Sequence, residues 1–124
     1  MRKENEVVLN RLDTAVQEVG TALAGAFLSE PWKSIRYAAQ WTPTGDVGAD
    51  DFWLVGDSGV EQKVLPEISA SLHVSDAAKH HWQLTQDLGQ PRWYKVIVMV
   101  ERSGKFAVEF EYKDDYQEGD IMRD

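Results

Sequence analysis

Apolar positions change their period several times along this chain, and the changes mark its elements. Leu9, Leu12, Val16, Val19, Leu23 and Ala26 recur at three- and four-residue spacing, which predicts an amphipathic helix over residues 5–28. Pro31 disfavours helix at Glu30 and closes the element. Ile35, Tyr37, Ala39 and Trp41 then alternate with Ser34, Arg36, Ala38 and Gln40, the pattern of a half-buried strand. Residues 42–51 hold Pro43, Gly45, Gly48 and three aspartates and read as a loop. Phe52-Trp53-Leu54-Val55 reads as a second strand and residues 60–65 as a third. The Gly56-Asp57-Ser58-Gly59 turn between them predicts a hairpin.

Beyond Pro66 the period becomes helical again. Ser75 suits an N-cap, Asp76 the first turn and Gly89 the C-terminal stop, with Ala78, Trp82 and Leu84 or Leu88 on the buried face. After Gln90-Pro91, residues 93–100 are strongly β-prone, and Ser103-Gly104 makes a turn. In the last strand Phe106, Val108, Phe110 and Tyr112 alternate with Ala107, Glu109, Glu111 and Lys113. One face is apolar and the other charged, as in an antiparallel sheet covered on one side. The order is α-β-β-β-α-β-β, without the helices that parallel crossovers need between strands. The expected fold is α+β: a single domain over residues 1–124, with an antiparallel sheet of about five strands packed by two helices.

The composition narrows the function. The chain of 124 residues carries a formal charge of −8, which excludes a general nucleic-acid binder because phosphate neutralisation needs a concentrated basic face. Cysteine is absent, which removes disulfide scaffolds, thiolate-bound zinc and thiol catalysis. Residues 16–27 include a small-residue run, but Gln17 and Glu18 break the continuous apolar stretch that a signal peptide needs, so the segment does not read as one. No run approaches the length of a membrane span. A cytoplasmic protein with no membrane association is the expectation.

Catalytic motifs are sparse. Gly56-Asp57-Ser58-Gly59 has the letters that surround a trypsin-like nucleophile, yet His73, His80 and His81 all lie downstream, in the wrong order for such an enzyme. Turn chemistry explains the four residues better. His80 and His81 diverge by about 100° on a helix and do not chelate one ion together; solvent-facing or capping roles are expected for the histidines. Gly45 and Gly48 are followed by no Lys-Ser or Lys-Thr and form no phosphate loop. The paired carboxylates have no evident cleft to face across. The expectation is a protein that is not an enzyme and holds no metal or cofactor.

The acidic residues are concentrated. Asp46, Asp50, Asp51 and Asp57 give residues 46–57 a local charge of −4, and residues 109–124 carry −5. These two segments hold the whole imbalance of the chain. They are either solvated loops or a negative surface that steers and docks a basic partner. Phe52, Trp53, Tyr112 and Tyr116 interleave with them as candidate anchors, although Phe52 and Tyr112 are expected in the core.

The chain also resembles a family. The N-terminal helix, Pro31-Trp32 with the Ile35 and Tyr37 strand, the Trp93-led strand, Gly104-Lys105-Phe106 and the ending Phe110-Glu111-Tyr112-Lys113-Asp114-Asp115 are similar to the YezG-like immunity proteins. Those proteins are antitoxins encoded beside bacterial polymorphic and contact-dependent growth inhibition toxins. The resemblance implies a non-enzymatic inhibitor that binds the C-terminal domain of one cognate toxin, a basic domain such as a nuclease. From the charge clustering, the expected partner-binding residues are Asp50, Asp51, Glu109, Glu111, Asp114 and Asp115. Two alternatives stay open: an adaptor using the sheet edge beside the last strand, and a small-ligand binder with an aromatic pocket of Trp32, Trp41, Trp53, Tyr37 and Trp93.

Overall fold

The computed structural model describes residues 3–42, 48–90 and 93–112, with side chains from residue 10 onward. Seven elements follow one another: α1 (Lys3–Ala26), β1 (Ser34–Trp41), β2 (Gly48–Val55), β3 (Glu61–Val64), α2 (Ile68–Asp87), β4 (Lys95–Glu101) and β5 (Phe106–Glu111). The five strands form one antiparallel sheet in the order β3-β2-β1-β4-β5. The α+β order expected from the sequence is the order observed.

Alternation along each strand gives the sheet two faces. Ile35, Tyr37 and Ala39 of β1 lie beside Leu54, Phe52 and Asp50 of β2 and beside Val100, Val98 and Val96 of β4. This face meets the helices: Phe27 touches Phe52, Trp41 approaches Trp82, and His81 stacks on Phe110. The core between the layers includes Val19, Leu23, Trp32, Val74, Ala78 and Trp93. No described helix covers the other face. An indole–carbonyl bond from Trp32 Nε1 to Phe27 O, 2.7 Å, ties the end of α1 to the approach to β1. The Arg102 guanidinium sits 3.8 Å over the Trp32 ring and donates to the Trp32 and Glu30 carbonyls. That residue fastens the β4–β5 turn to the α1–β1 connection.

Two boundaries differ from expectation for physical reasons. α2 begins at Ile68, seven residues before Ser75, so Ser75 lies inside the helix. The early part of α2 leaves Ile68 79% and Leu72 58% exposed, so its apolar residues carry no core stripe. β2 begins at Gly48, within the segment read as a loop. Its two aspartates are accommodated: Asp50 accepts a hydrogen bond from Tyr37 Oη (2.9 Å), and Asp51 pairs with Lys63 (3.2 Å). A Cβ at Gly48 would come within 2.4 Å of the Trp41 indole, so Gly48 admits the ring where a side chain would displace it. The end of α2 matches expectation. Gly89 has φ +68°, its N–H bonds Gln86 O, and the Gln90 N–H reaches Thr85 O, the paired bonds of a Schellman stop.

Candidate functional site

The face of the sheet that no described helix covers brings part of the expected acidic set together, although Ala38 and Gln40 in its middle strand are buried. Its central row runs across all five strands as Lys63, Trp53, Arg36, Met99 and Ala107. The next row holds Asp51, Ala38, Ile97 and Glu109, and the one beyond it Ala49, Gln40, Lys95 and Glu111. Asp51 and Glu109 thus share a face but stand three strand spacings apart, about 14 Å. Glu109 and Glu111 are exposed, as expected.

Asp50 departs from the expected set. It points to the helical face, where Tyr37 and Ser75 hydrogen-bond to it. Burial raises its pKa, the bonds from Tyr37 and Ser75 oppose the rise, and Asp51 adds to it. The Tyr37 hydroxyl is pushed up as well, first by burial and then by the Asp50 charge. Asp50 therefore belongs to an internal polar network and presents little charge to a partner on the open face. Asp114 and Asp115, and the candidate anchor Tyr116, lie outside the described residues.

Most of the carboxylates on the open face already have cations beside them. Glu61 receives Arg36 through two bonds, Nε–Oε2 at 2.6 Å and Nη2–Oε1 at 3.1 Å, which holds its carboxyl below the usual range. Lys63 meets Asp51 at 3.2 Å and Lys95 meets Glu111 at 3.8 Å. These are surface pairs worth roughly 0–1 kcal/mol each, so a partner's cations can replace them at little cost. Arg36 is also fixed from its other side, with its guanidinium 3.7 Å over the Trp53 ring. Glu61, Arg36 and Trp53 thus form a preorganised cluster on the face that no described helix covers.

The aromatic pocket does not form from the residues expected for it. Trp32, Trp41, Tyr37 and Trp93 are core side chains, whereas Trp53 lies on the opposite face of the sheet. Phe52 is buried as expected, but Tyr112, just beyond the end of β5, is 57% exposed. β5 is an edge strand, as the adaptor alternative requires.

The histidines separate. His73 lies within α2 and, with Asp76, His80 and Glu18, lines a shallow groove of about 530 Å³ between the helices. Among the described residues no three His, Asp or Glu side chains come together as a metal site. His81, expected at the surface, is only 5% exposed. Its Nδ1 accepts a hydrogen bond from Trp93 Nε1 at 3.0 Å, and its ring stacks on Phe110 with centroids 5.0 Å apart. The spacing 74, 78, 81, 82, 85 is the signal for this burial, since it puts His81 on the inner stripe of α2 and His80 off it.

Burial, with a contribution from the charge of His80, lowers the His81 pKa from 6.5 to about 4. Between those values the unfolded chain takes up a proton that the folded chain refuses, so stability is full above pH 6.5 and falls towards pH 4. The expected loss is on the order of 2 kcal/mol. Urea midpoints at pH 7, 5.5 and 4 check this: the native chain should lose more over that range than His81→Phe. Equal pH slopes would show that the imidazole is not held neutral.

No protein-family model matches this chain, and no curated protein matches it. Among the described residues, no helix is long and apolar enough to cross a membrane.

Proposed function

We propose that this chain is a non-enzymatic binding protein whose uncovered sheet face docks another protein. The observation that carries this reading is the preorganised Trp53–Arg36–Glu61 cluster, beside Met99 and Ile97, on a face that no described helix covers. Tryptophan and arginine dominate binding energy at protein interfaces, and a side chain already held in place loses little entropy on docking. The described residues of this face include five carboxylates (Asp51, Glu61, Glu101, Glu109, Glu111) and three cations (Arg36, Lys63, Lys95). The acidic surplus favours a basic partner and speeds encounter with it.

The partner class we propose is the C-terminal domain of a cognate bacterial toxin, with this chain as the immunity protein that neutralises it. The resemblance of residues 104–115 to YezG-like immunity proteins and the acidic balance of the chain support that assignment. On a nuclease toxin the carboxylates would take the places of substrate phosphates in a basic cleft. Co-expression with the toxin domain encoded beside this chain tests the reading: the pair is expected to co-purify, with affinity falling as salt rises. Reversing Asp114 and Asp115 to Lys should weaken binding at low salt and leave the melting temperature nearly unchanged. Failure to co-purify would remove the immunity assignment, and unaltered affinity in the reversed variant would remove the acidic docking surface.

A further inference from the structure

β5 ends the sheet, and the backbone groups along its outer edge pair with no described strand. Lys105 O accepts from Glu101 N–H and Glu111 O accepts from Tyr94 N–H, so the odd-numbered residues turn their backbone toward β4. By the alternation of an antiparallel ladder, Phe106, Val108 and Phe110 turn N–H and C=O outward. Phe106, Ala107, Glu109 and Glu111 are exposed, and α1 packs chiefly over β4 and β1, one strand in from this edge.

The two edges of the sheet are unlike. β3 is four residues long, and its Glu61 and Lys63 are held by Arg36 and Asp51. A short strand bearing paired charges is a guarded edge. β5 has six residues in unbroken register with β4, contains no proline, and carries only apolar side chains at Phe106, Val108 and Phe110. An edge of that kind is a template for another strand. Its two charges, Glu109 and Glu111, stand on the open face and restrict which strand it accepts.

We propose that β5 pairs antiparallel with β5 of a second copy of this chain, centred on Val108. In that register Phe106 faces Phe110 of the second copy and Val108 faces Val108, and each pair exchanges two hydrogen bonds through the outward backbone groups. On the open face Ala107 lies beside Glu109 of the second copy, and Lys105 beside its Glu111. Within one chain Glu101 already lies beside Lys105, and Lys95 beside Glu111. One row therefore runs Glu101, Lys105, Glu111, Lys95 across the join, with alternating sign. Cross-strand pairs of opposite charge stabilise a sheet, and like pairs destabilise it. Sliding by two residues one way sets Glu109 against Glu109. Sliding the other way runs Phe110 against Gly104, whose N–H is already bonded to Glu101 O in the turn. The edge is thus complementary to itself in one register, which favours a second copy over an unrelated strand. The open faces of both copies stay free, so the join is independent of the partner proposed for that face.

Sedimentation equilibrium of the full chain tests this, with a reversible monomer–dimer equilibrium as the expected result. Lys105→Glu and Glu111→Lys, both at exposed positions, should each weaken the dimer about 10-fold, because two-fold symmetry makes the like-charged pair twice. The double variant restores opposite charges and should return to within about 3-fold of native, with all melting temperatures nearly unchanged. The chain has no cysteine, so mixing Ala107→Cys chains with Glu109→Cys chains reports the register. Residues opposed in a non-hydrogen-bonded pair stand about 4.5 Å apart at Cα, within disulfide reach. Oxidation should cross-link the mixture far more than either variant alone. A chain that stays monomeric at millimolar concentration, a double variant as weak as the single ones, or equal cross-linking of either variant alone would overturn the proposal.

Discussion

Truncation of Trp93 to alanine is expected to cost about 3–5 kcal/mol of folding free energy, the range for removing a large aromatic side chain from a core. Trp93 is 1% exposed, and its ring lies 5.5 Å from Trp41 and 5.7 Å from Phe110. Removing it opens a cavity among these rings and leaves His81 Nδ1 buried without its donor. A domain of this size has roughly 5–15 kcal/mol to lose, so the variant approaches the limit of folding. The melting temperature should fall by about 10–20 °C. Trp93→Phe separates the two contributions in part: it keeps one aromatic ring in the site, deletes the N–H together with the rest of the second ring, and should cost about 1–3 kcal/mol. A Trp93→Ala chain melting within a few degrees of the native one would show that the core is not organised around this residue.

The second large effect is expected on the opposite face, in binding and not in folding. Trp53→Ala removes the ring against which Arg36 rests and should weaken the toxin-domain complex by at least about 2 kcal/mol, some 30-fold in affinity. Arg36→Ala should do nearly as much, because it leaves Glu61 without its paired cation and Trp53 without its cap. Neither side chain belongs to the core, so melting temperatures should fall by only a few degrees. Measured on the co-purified pair, an affinity within about threefold of native in both variants would move the interface elsewhere on the molecule.

The two variants probe residues with very different sequence signatures. Trp93 opens a β-prone run, and its burial follows from the alternating residues beyond it. Trp53 sits between Phe52 and Leu54 in an apolar tetrapeptide, where alternation alone does not say which of the three faces the core. Pairing with β1 decides it: Phe52 lies beside Tyr37 and Trp53 beside Arg36. The same register separates Asp50 from Asp51. As neighbours in sequence they look like one acidic patch, but strand geometry sends them to opposite faces. Reading residues 42–51 as a loop hid that consequence.

His81 shows the same dependence in a helix. Its neighbour His80 is exposed, and composition offers no way to tell them apart. The stripe through Val74, Ala78 and Thr85 distinguishes them once the helix is known to begin at Ile68. The partner of His81 Nδ1 was not legible in either helix, because Trp93 reaches it from beyond the end of α2.

Residue order alone specified the elements, their succession and the layering of two helices on one side of an antiparallel sheet. Those follow from local periodicity, turn residues and the alternation of apolar and charged side chains. It also determined an acidic chain of −8 with the surplus held in two short segments. What that acidity faces depended on how the strands pair. Strand pairing turned Asp50 inward to Tyr37, spread Asp51, Glu109 and Glu111 across the open face, and set Lys63 and Lys95 beside two of them. Charge is a property of residues, whereas a field at a surface depends on which charges share a face and what lies beside them.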